Sequence, residues 1–400
     1  MDPARPGTFG AELRRLRQER GLSIRDLADL AHHSRTVVWE WEKGKKTPCE
    51  GDATALDALL GGGRALAELQ AAATRPDPQR ALQHESQRLA EQLAAVQPGD
   101  LVTDADRGTA QLAVDYLRSP GGELIGELVD ARRAAVAALR SRRLRNHHQV
   151  RYLTSDVGYL SGILAYAALD DGHPGAALAH TNVAWQAAEL IDSDQLRAWV
   201  RGTQSLILRF LQRYPQALVR AEDGLRYATS GTARSRLLAG VGQCQANMGE
   251  ASAARLALAE AQTALDEQRG IDELSGVFTF SRAKLLYYSG SSLIWLGGGA
   301  DARQARDQAH TAIDLWQDAG PERSVADEAL AHVYAATGSL QIRDLEAAAA
   351  DLEPILSMPA EQRVSWIVKR MDRITDLLGE RPFDTEPLAA ELVEKIKEYG

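Results

Sequence analysis

FGAELRRLRQERGLSIRDLADLAHHSRTVVWEWEKGKKTP, Phe9 to Pro48, is the stretch whose reading decides the amino-terminal fold. Phe9, Leu13 and Leu16 fall at i, i+4 and i+7, one apolar face of a helix from Phe9 to Arg20, with arginines on the other faces and Gly21 as its stop. Ser23 is placed to cap a second helix, Ile24 to Ala31, and Asp26 three positions on completes a capping box, with Leu27 and Ala28 facing inward. After the turn His32-His33-Ser34, Ser34 caps a third helix that runs through Val38 and Trp41 to Lys43 and is closed by Gly44 and Pro48. Val38 and Trp41, three apart, form its core stripe. Arg35, Thr36, Trp39, Glu40 and Lys43 are left on the remaining surface, the candidate reading face.

Moving outward, Asp52 to Leu60 and Arg64 to Ala73, separated by Gly61-Gly62-Gly63, read as helices that close a small domain over residues 1–73. The polar, proline-bearing TRPDPQ, Thr74 to Gln79, reads as a linker, and Gln79 to Val96 as a connecting helix, so 74–100 is assigned to the junction and 101–400 to a second domain. Charge is uneven along the chain. Met1 to Pro48 hold ten Lys/Arg against seven Asp/Glu, a net of +3, within a chain of net −9, which leaves −12 for the rest. A basic head on an acidic body suits a protein that offers only its head to phosphate.

Beyond Ala110, alanine- and leucine-rich segments alternate with short turns marked by Gly, Pro or Asp, the pattern of stacked helical hairpins. Leu164–His180 (LAYAALDDGHPGAALAH), Leu206–Ala221 (LILRFLQRYPQALVRA), Gly242–Ala257 (GQCQANMGEASAARLA) and His332–Leu345 (HVYAATGSLQIRDL) each show a helix ending near Gly or Tyr and another starting in small residues, although Gly172, Tyr214, Gly249 and Gly338 are irregularly spaced. With 44% apolar and 6% aromatic residues, the chain is expected to be all-α.

Other classes find little support. Cys49 and Cys244 are the two cysteines, far apart, which excludes a disulfide framework and a local thiolate metal site and suits the cytoplasm. The start MDPARPGTFG lacks a signal segment, and the longest apolar run, Ile163 to Leu169, is too short for a membrane span. No GxxxxGK[ST], HExxH, GxSxG or strand-turn-helix GxGxxG occurs, so neither an enzyme nor a cofactor is expected. Leu139 to Tyr152 (LRSRRLRNHHQVRY) is a basic stretch in an acidic body, suited to an anion or to flanking DNA, or neutralised by neighbouring carboxylates. Its adjacent His147 and His148 would point about 100° apart on a helix and complete no metal set.

The Phe9–Pro48 stretch resembles the Cro/repressor-like helix-turn-helix regulators, the XRE family, in the Leu-Arg run before Gly21, the Ser-x-x-x-Leu-Ala of the second helix and the Val-x-x-Trp-Glu-x-Gly…Pro close of the third. The resemblance implies binding of double-stranded DNA, with Ser23, Arg25 and Ser34 at phosphates or nearby, Arg35, Thr36, Trp39 and Glu40 facing base edges, and Lys43, Lys45 and Lys46 at the backbone. Arg35 bridging guanine O6 and N7 would be worth roughly 1–3 kcal/mol of discrimination. It also implies an ion pair of Arg17 with Glu42. The indole of Trp39 departs from the small or polar residue usual there.

The carboxy-terminal hairpins are similar to tetratricopeptide repeats, and the fold class is therefore an α-solenoid of such hairpins behind a Cro/repressor-like bundle. Regulators that join these parts include receptors for signalling peptides, which implies a peptide or small-molecule ligand in the repeat groove. Tyr152, Tyr159, Asn182, Trp185, Gln186, Gln204, Gln243 and Asn247 have suitable chemistry for it, and equally for ordinary surface or packing positions. One head supplies few base contacts, so a homodimer on an inverted repeat is expected. The other reading is an interaction scaffold whose repeats recruit a protein partner, with weak or no DNA binding by the head.

Overall fold

All α-helices and short 3-10 turns, with no strand: this is what the alanine- and leucine-rich pattern produces among the described residues, 8–74, 78–94, 108–119, 123–140, 147–359 and 363–399 of a computed structural model. The helices are α1 Phe9–Glu19, α2 Ile24–Leu30, α3 Arg35–Glu42, α4 Glu50–Leu60, α5 Ala65–Thr74, α6 Pro78–Ala94, α7 Gly108–Arg118, α8 Glu123–Arg140, α9 His147–Asp170 and α10 Pro174–Ile191. They continue as α11 Asp194–Phe210, α12 Tyr214–Leu225, α13 Ala233–Asn247, α14 Ala251–Asp266, α15 Arg282–Leu293, α16 Gly299–Gln317, α17 Val325–Gln341, α18 Leu345–Leu356, α19 Ser365–Leu378 and α20 Pro387–Tyr399. The chain forms two bodies that divide between Ala81 and Leu82, inside α6 and within the segment read from sequence as linker and connecting helix.

In the first body, Phe9, Leu13 and Leu16 of α1, Leu27 and Ala28 of α2, and Val38 and Trp41 of α3 meet Leu56 and Leu60 of α4 and Leu66 of α5 in one apolar core. The caps lie where hydroxyls occur in the sequence. Ser23 accepts from the Asp26 amide while Asp26 accepts from the Ser23 amide, and Ser34 accepts from the amide of Val37. Gly10 sets the spacing of α1 and α3, because a Cβ there would lie 2.6 Å from the carbonyl oxygen of Trp41.

Five hairpins build most of the second body: α9/α10, α11/α12, α13/α14, α15/α16 and α17/α18, with each first helix packed also on the first helix of the next hairpin. Four of them turn in three residues, and in each the middle one is left-handed: Gly172 (φ 78°), Gln212 (φ 58°), Gly249 (φ 81°) and Arg343 (φ 66°). This corrects the markers read from sequence. Tyr214 already belongs to α12, and Gly338 lies inside α17, where a Cβ would come 2.8 Å from the carbonyl oxygen of Ala302 in α16. Gly338 is thus a close-approach residue; a helix crossing needs the missing side chain.

The later part of α6 belongs to the second body. Leu89 packs with Ala135, Leu153 and Val183, and Ser86, 2.6 Å from His180 Nδ1, also accepts a hydrogen bond from fully buried Arg132. The hairpin stack also turns back on itself. Ser365 at the start of α19 donates to the carbonyl oxygen of Leu169 in α9 at 2.8 Å, and Lys369 donates to that of Phe210 at the end of α11.

Candidate functional site

On α3 the core residues hold the helix by one side and leave the other to solvent. Arg17 anchors it from below: its Nε donates to Glu42 Oε1 at 2.5 Å, its Nη2 to Oε2 at 3.0 Å, and its Nη1 to the carbonyl oxygen of Leu22 at 2.7 Å. Both side chains are buried, and this two-point clasp fixes the rotation of α3 about its axis. Its hydrogen bonds to the Glu42 carboxylate hold the Arg17 guanidinium above its ordinary range.

Arg35 and Thr36 on the first turn of α3 are exposed, as are Ser34 at its cap, Ser23 and Arg25 at the start of α2, and Lys43 past the end of α3. Other residues of the reading face are engaged within the domain. Glu40 pairs with Lys46 at 2.7 Å, and Lys45 sits 4.4 Å from the ring centroid of Trp39, itself 39% exposed. Trp39 and Glu40 therefore each carry a lysine, whereas Arg35 and Thr36 form an exposed polar pair on the leading turn. A guanidinium at a helix start beside open backbone amides is suited to a guanine edge or to phosphate.

The second body holds a cavity of about 70 Å³ that opens into a wider mouth, lined from α7, α9, α11, α12, α13, α15, α17 and α19. The first helix of every hairpin faces it. Gln243 and Asn247 line it, and Asn247 Nδ2 donates to the Gln243 carbonyl at 2.8 Å. The other sequence candidates lie elsewhere. Trp185 and Gln204 both meet Arg201, which lies 3.6 Å above the indole and donates to Gln204 Oε1 at 2.9 Å. Tyr159 is buried and donates to Glu273 Oε2 at 2.5 Å, Tyr152 and Asn182 are exposed, and Gln186 is half-buried; none of the six lines this cavity. Of the basic stretch, Arg140, His147, His148 and Arg151 are exposed, and Arg142, Arg143 and Arg145 lie outside the described residues.

Sequence reasoning missed the cavity's own charges: Arg209, Arg236, Lys284 and Arg370, against Asp170 and Asp327. Burial pushes the Asp170 carboxyl up to about 7, opposed by the hydroxyl of Tyr116, which donates to it at 2.5 Å. A signal for these cations existed. Arg209 interrupts the apolar run Leu206–Leu211, and Lys284 stands beside Leu285 and Leu286, charges where periodicity calls for core.

The family model described as a helix-turn-helix domain matches residues 8–70. Residues 8–70 are a helix-turn-helix domain. No curated protein matches the chain. Among solved structures, that of yeast Tom70 aligns over 98% of this chain and 86% of its own, at 12% identity and a TM-score of 0.30, values at which the likeness carries no argument.

Proposed function

We propose that the protein is a sequence-specific DNA-binding transcription regulator of the Cro/repressor-like kind. It acts in the cytoplasm as a homodimer on an inverted repeat, and its hairpin body takes up a regulatory ligand. The observation that carries this reading is the exposed Arg35 and Thr36 on the leading turn of a helix that the buried Arg17–Glu42 clasp holds in one rotation. In the reading, Arg35 and Thr36 report base identity, Ser23, Arg25 and Ser34 set the head on phosphates, and Lys43 with the Lys45–Lys46 run adds backbone charge. Glu40 and Trp39 steer these lysines more than they read bases. Two heads about 34–36 Å apart would reach successive major-groove faces, and a ligand that changes this separation changes affinity.

Fluorescence anisotropy of a labelled genomic duplex mixed with the purified protein, across a salt series from 50 to 200 mM, tests the phosphate part. Each backbone contact contributes about −0.9 to the slope of log K against log salt, so a slope steeper than about −3 is expected. The absence of a duplex complex at every salt concentration contradicts the reading and favours a head that docks protein.

A further inference from the structure

Charged side chains inside proteins are usually matched by opposite charge, because an uncompensated buried ion costs several kcal/mol. Four cations on four helices outnumber two carboxylates, Asp170 and Asp327, around one cavity. Arg209 and Arg236 are buried, and among the described residues no carboxylate lies within ion-pair distance of these two, of Lys284 or of Arg370, while Asp170 and Asp327 line the same cavity without pairing directly with them. Their partners are neutral. Arg236 donates to the Trp199 carbonyl oxygen, the Tyr166 hydroxyl and Thr203 Oγ1, each at 2.9 Å; Lys284 donates to the Thr279 carbonyl oxygen at 3.1 Å, and Arg370 to the Tyr334 hydroxyl at 3.3 Å. Arg209 Nε is buried without any hydrogen-bond partner, and its guanidinium lies 5.2 Å from the Tyr288 ring centroid. Neutral acceptors and ring faces offset part of the cost but cancel no charge. The lining thus keeps an excess of cations in a chain whose net charge is −9.

Much of the remaining lining is aromatic. Tyr166, Tyr287, Tyr288, Tyr334, Phe280 and Trp366 all line the cavity, rings that stack on a planar ligand at small entropic cost. The return of α19 onto α9 and α11, through Ser365 and Lys369, closes the stack beside this lining, unlike the open groove that an extended chain would need.

We infer that this cavity is the ligand site of the body and that its ligand is a compact organic anion with an aromatic ring system, its acidic group taken by Arg209, Arg236, Lys284 and Arg370. The inference rests on the reading of the body as ligand-responsive, and it replaces an extended peptide with a small aromatic acid. The ligand supplies the missing negative charge, so binding both fills the cavity and relieves the repulsion among the cations, stabilising the closed stack.

The test uses the full chain and two dyes that share their rings: 1-anilinonaphthalene-8-sulfonate, an aromatic anion, and uncharged N-phenyl-1-naphthylamine. Fluorescence titration is expected to show one saturable sulfonate site per chain. Arg209→Met and Arg370→Met should each weaken the sulfonate at least tenfold and change the neutral dye less than twofold. Without dye, both variants should melt at the same temperature as the wild type or higher, since each lowers the excess of positive charge around the cavity. Equal binding of the two dyes to wild type, unchanged sulfonate affinity in the variants, or lowered melting without dye would each overturn the inference. A capped, uncharged decapeptide should not displace the sulfonate, and displacement would restore the extended-peptide groove. No DNA enters this assay, so a head that fails to bind a duplex leaves its outcome untouched, and a failed dye titration leaves DNA binding untouched.

Discussion

Glu42 carries a carboxylate that does little except hold Arg17, and the energetics of that pair decide how firmly the candidate reading helix is set. Removing one partner leaves the other charge buried, which costs about 3–5 kcal/mol, more than an exposed pair contributes by several fold. Glu42→Gln is therefore expected to accelerate amide hydrogen exchange in α1 and α3 by two orders of magnitude or more, and exchange within threefold of wild type would show that the clasp is not what fixes α3. At Asp170 the sign is opposite. Its carboxyl is pushed up to about 7 by burial, so the folded state binds this proton more tightly than the unfolded chain does. Its contribution is favourable below the ordinary carboxylate range and is lost as pH rises toward 7. Asp170→Asn should melt close to wild type at pH 4 and above it by a margin that widens up to pH 7; a constant difference across that window would contradict the assignment. Single residues of the head were legible in sequence because capping, core stripe and exposed face all fall within forty neighbouring positions. The cavity cations were not legible as a set, since Arg209, Arg236, Lys284 and Arg370 come from helices α11, α13, α15 and α19 and converge only once the hairpins stack.

At the scale of elements, helix positions followed from apolar periodicity and hydroxyl caps, and α1 to α5 lie within a few residues of where the sequence puts them. The hairpin turns were harder. Their common feature is one left-handed residue, and glycine advertises it at 172 and 249 but Gln212 and Arg343 do not, because tertiary packing imposes the turn at their expense. Glycine spacing thus gave an irregular repeat for a regular geometric device. Two substitutions separate the roles that sequence conflated. Gln212→Gly relieves a strained φ and should stabilise the body by up to about 1 kcal/mol, whereas Gly338→Ala forces a Cβ into the α16 backbone and should cost about 1–3 kcal/mol. Urea midpoints measure both, and equal shifts of one sign would show that left-handed turn and close crossing have been misassigned.

For the whole molecule, the proposal divides labour between a head of about seventy residues, whose first 48 carry a net charge of +3, and a larger acidic body. The body's class was legible from its alternating pattern. Its function was not, because a cavity built from the first helix of successive hairpins has no linear motif. The head's proposed chemistry is more direct: an arginine on a clasped helix reads a base or it does not. Selection of random duplex DNA by the purified full chain, beside Arg35→Ala, tests that claim most directly. The account predicts that the wild type enriches an inverted repeat with half-sites about one helical turn apart, and that Arg35→Ala loses roughly 1–3 kcal/mol of preference at one base in each half-site while other positions stay unchanged. Failure of both proteins to enrich any sequence, or enrichment of the same site with the same preference by both, would contradict it.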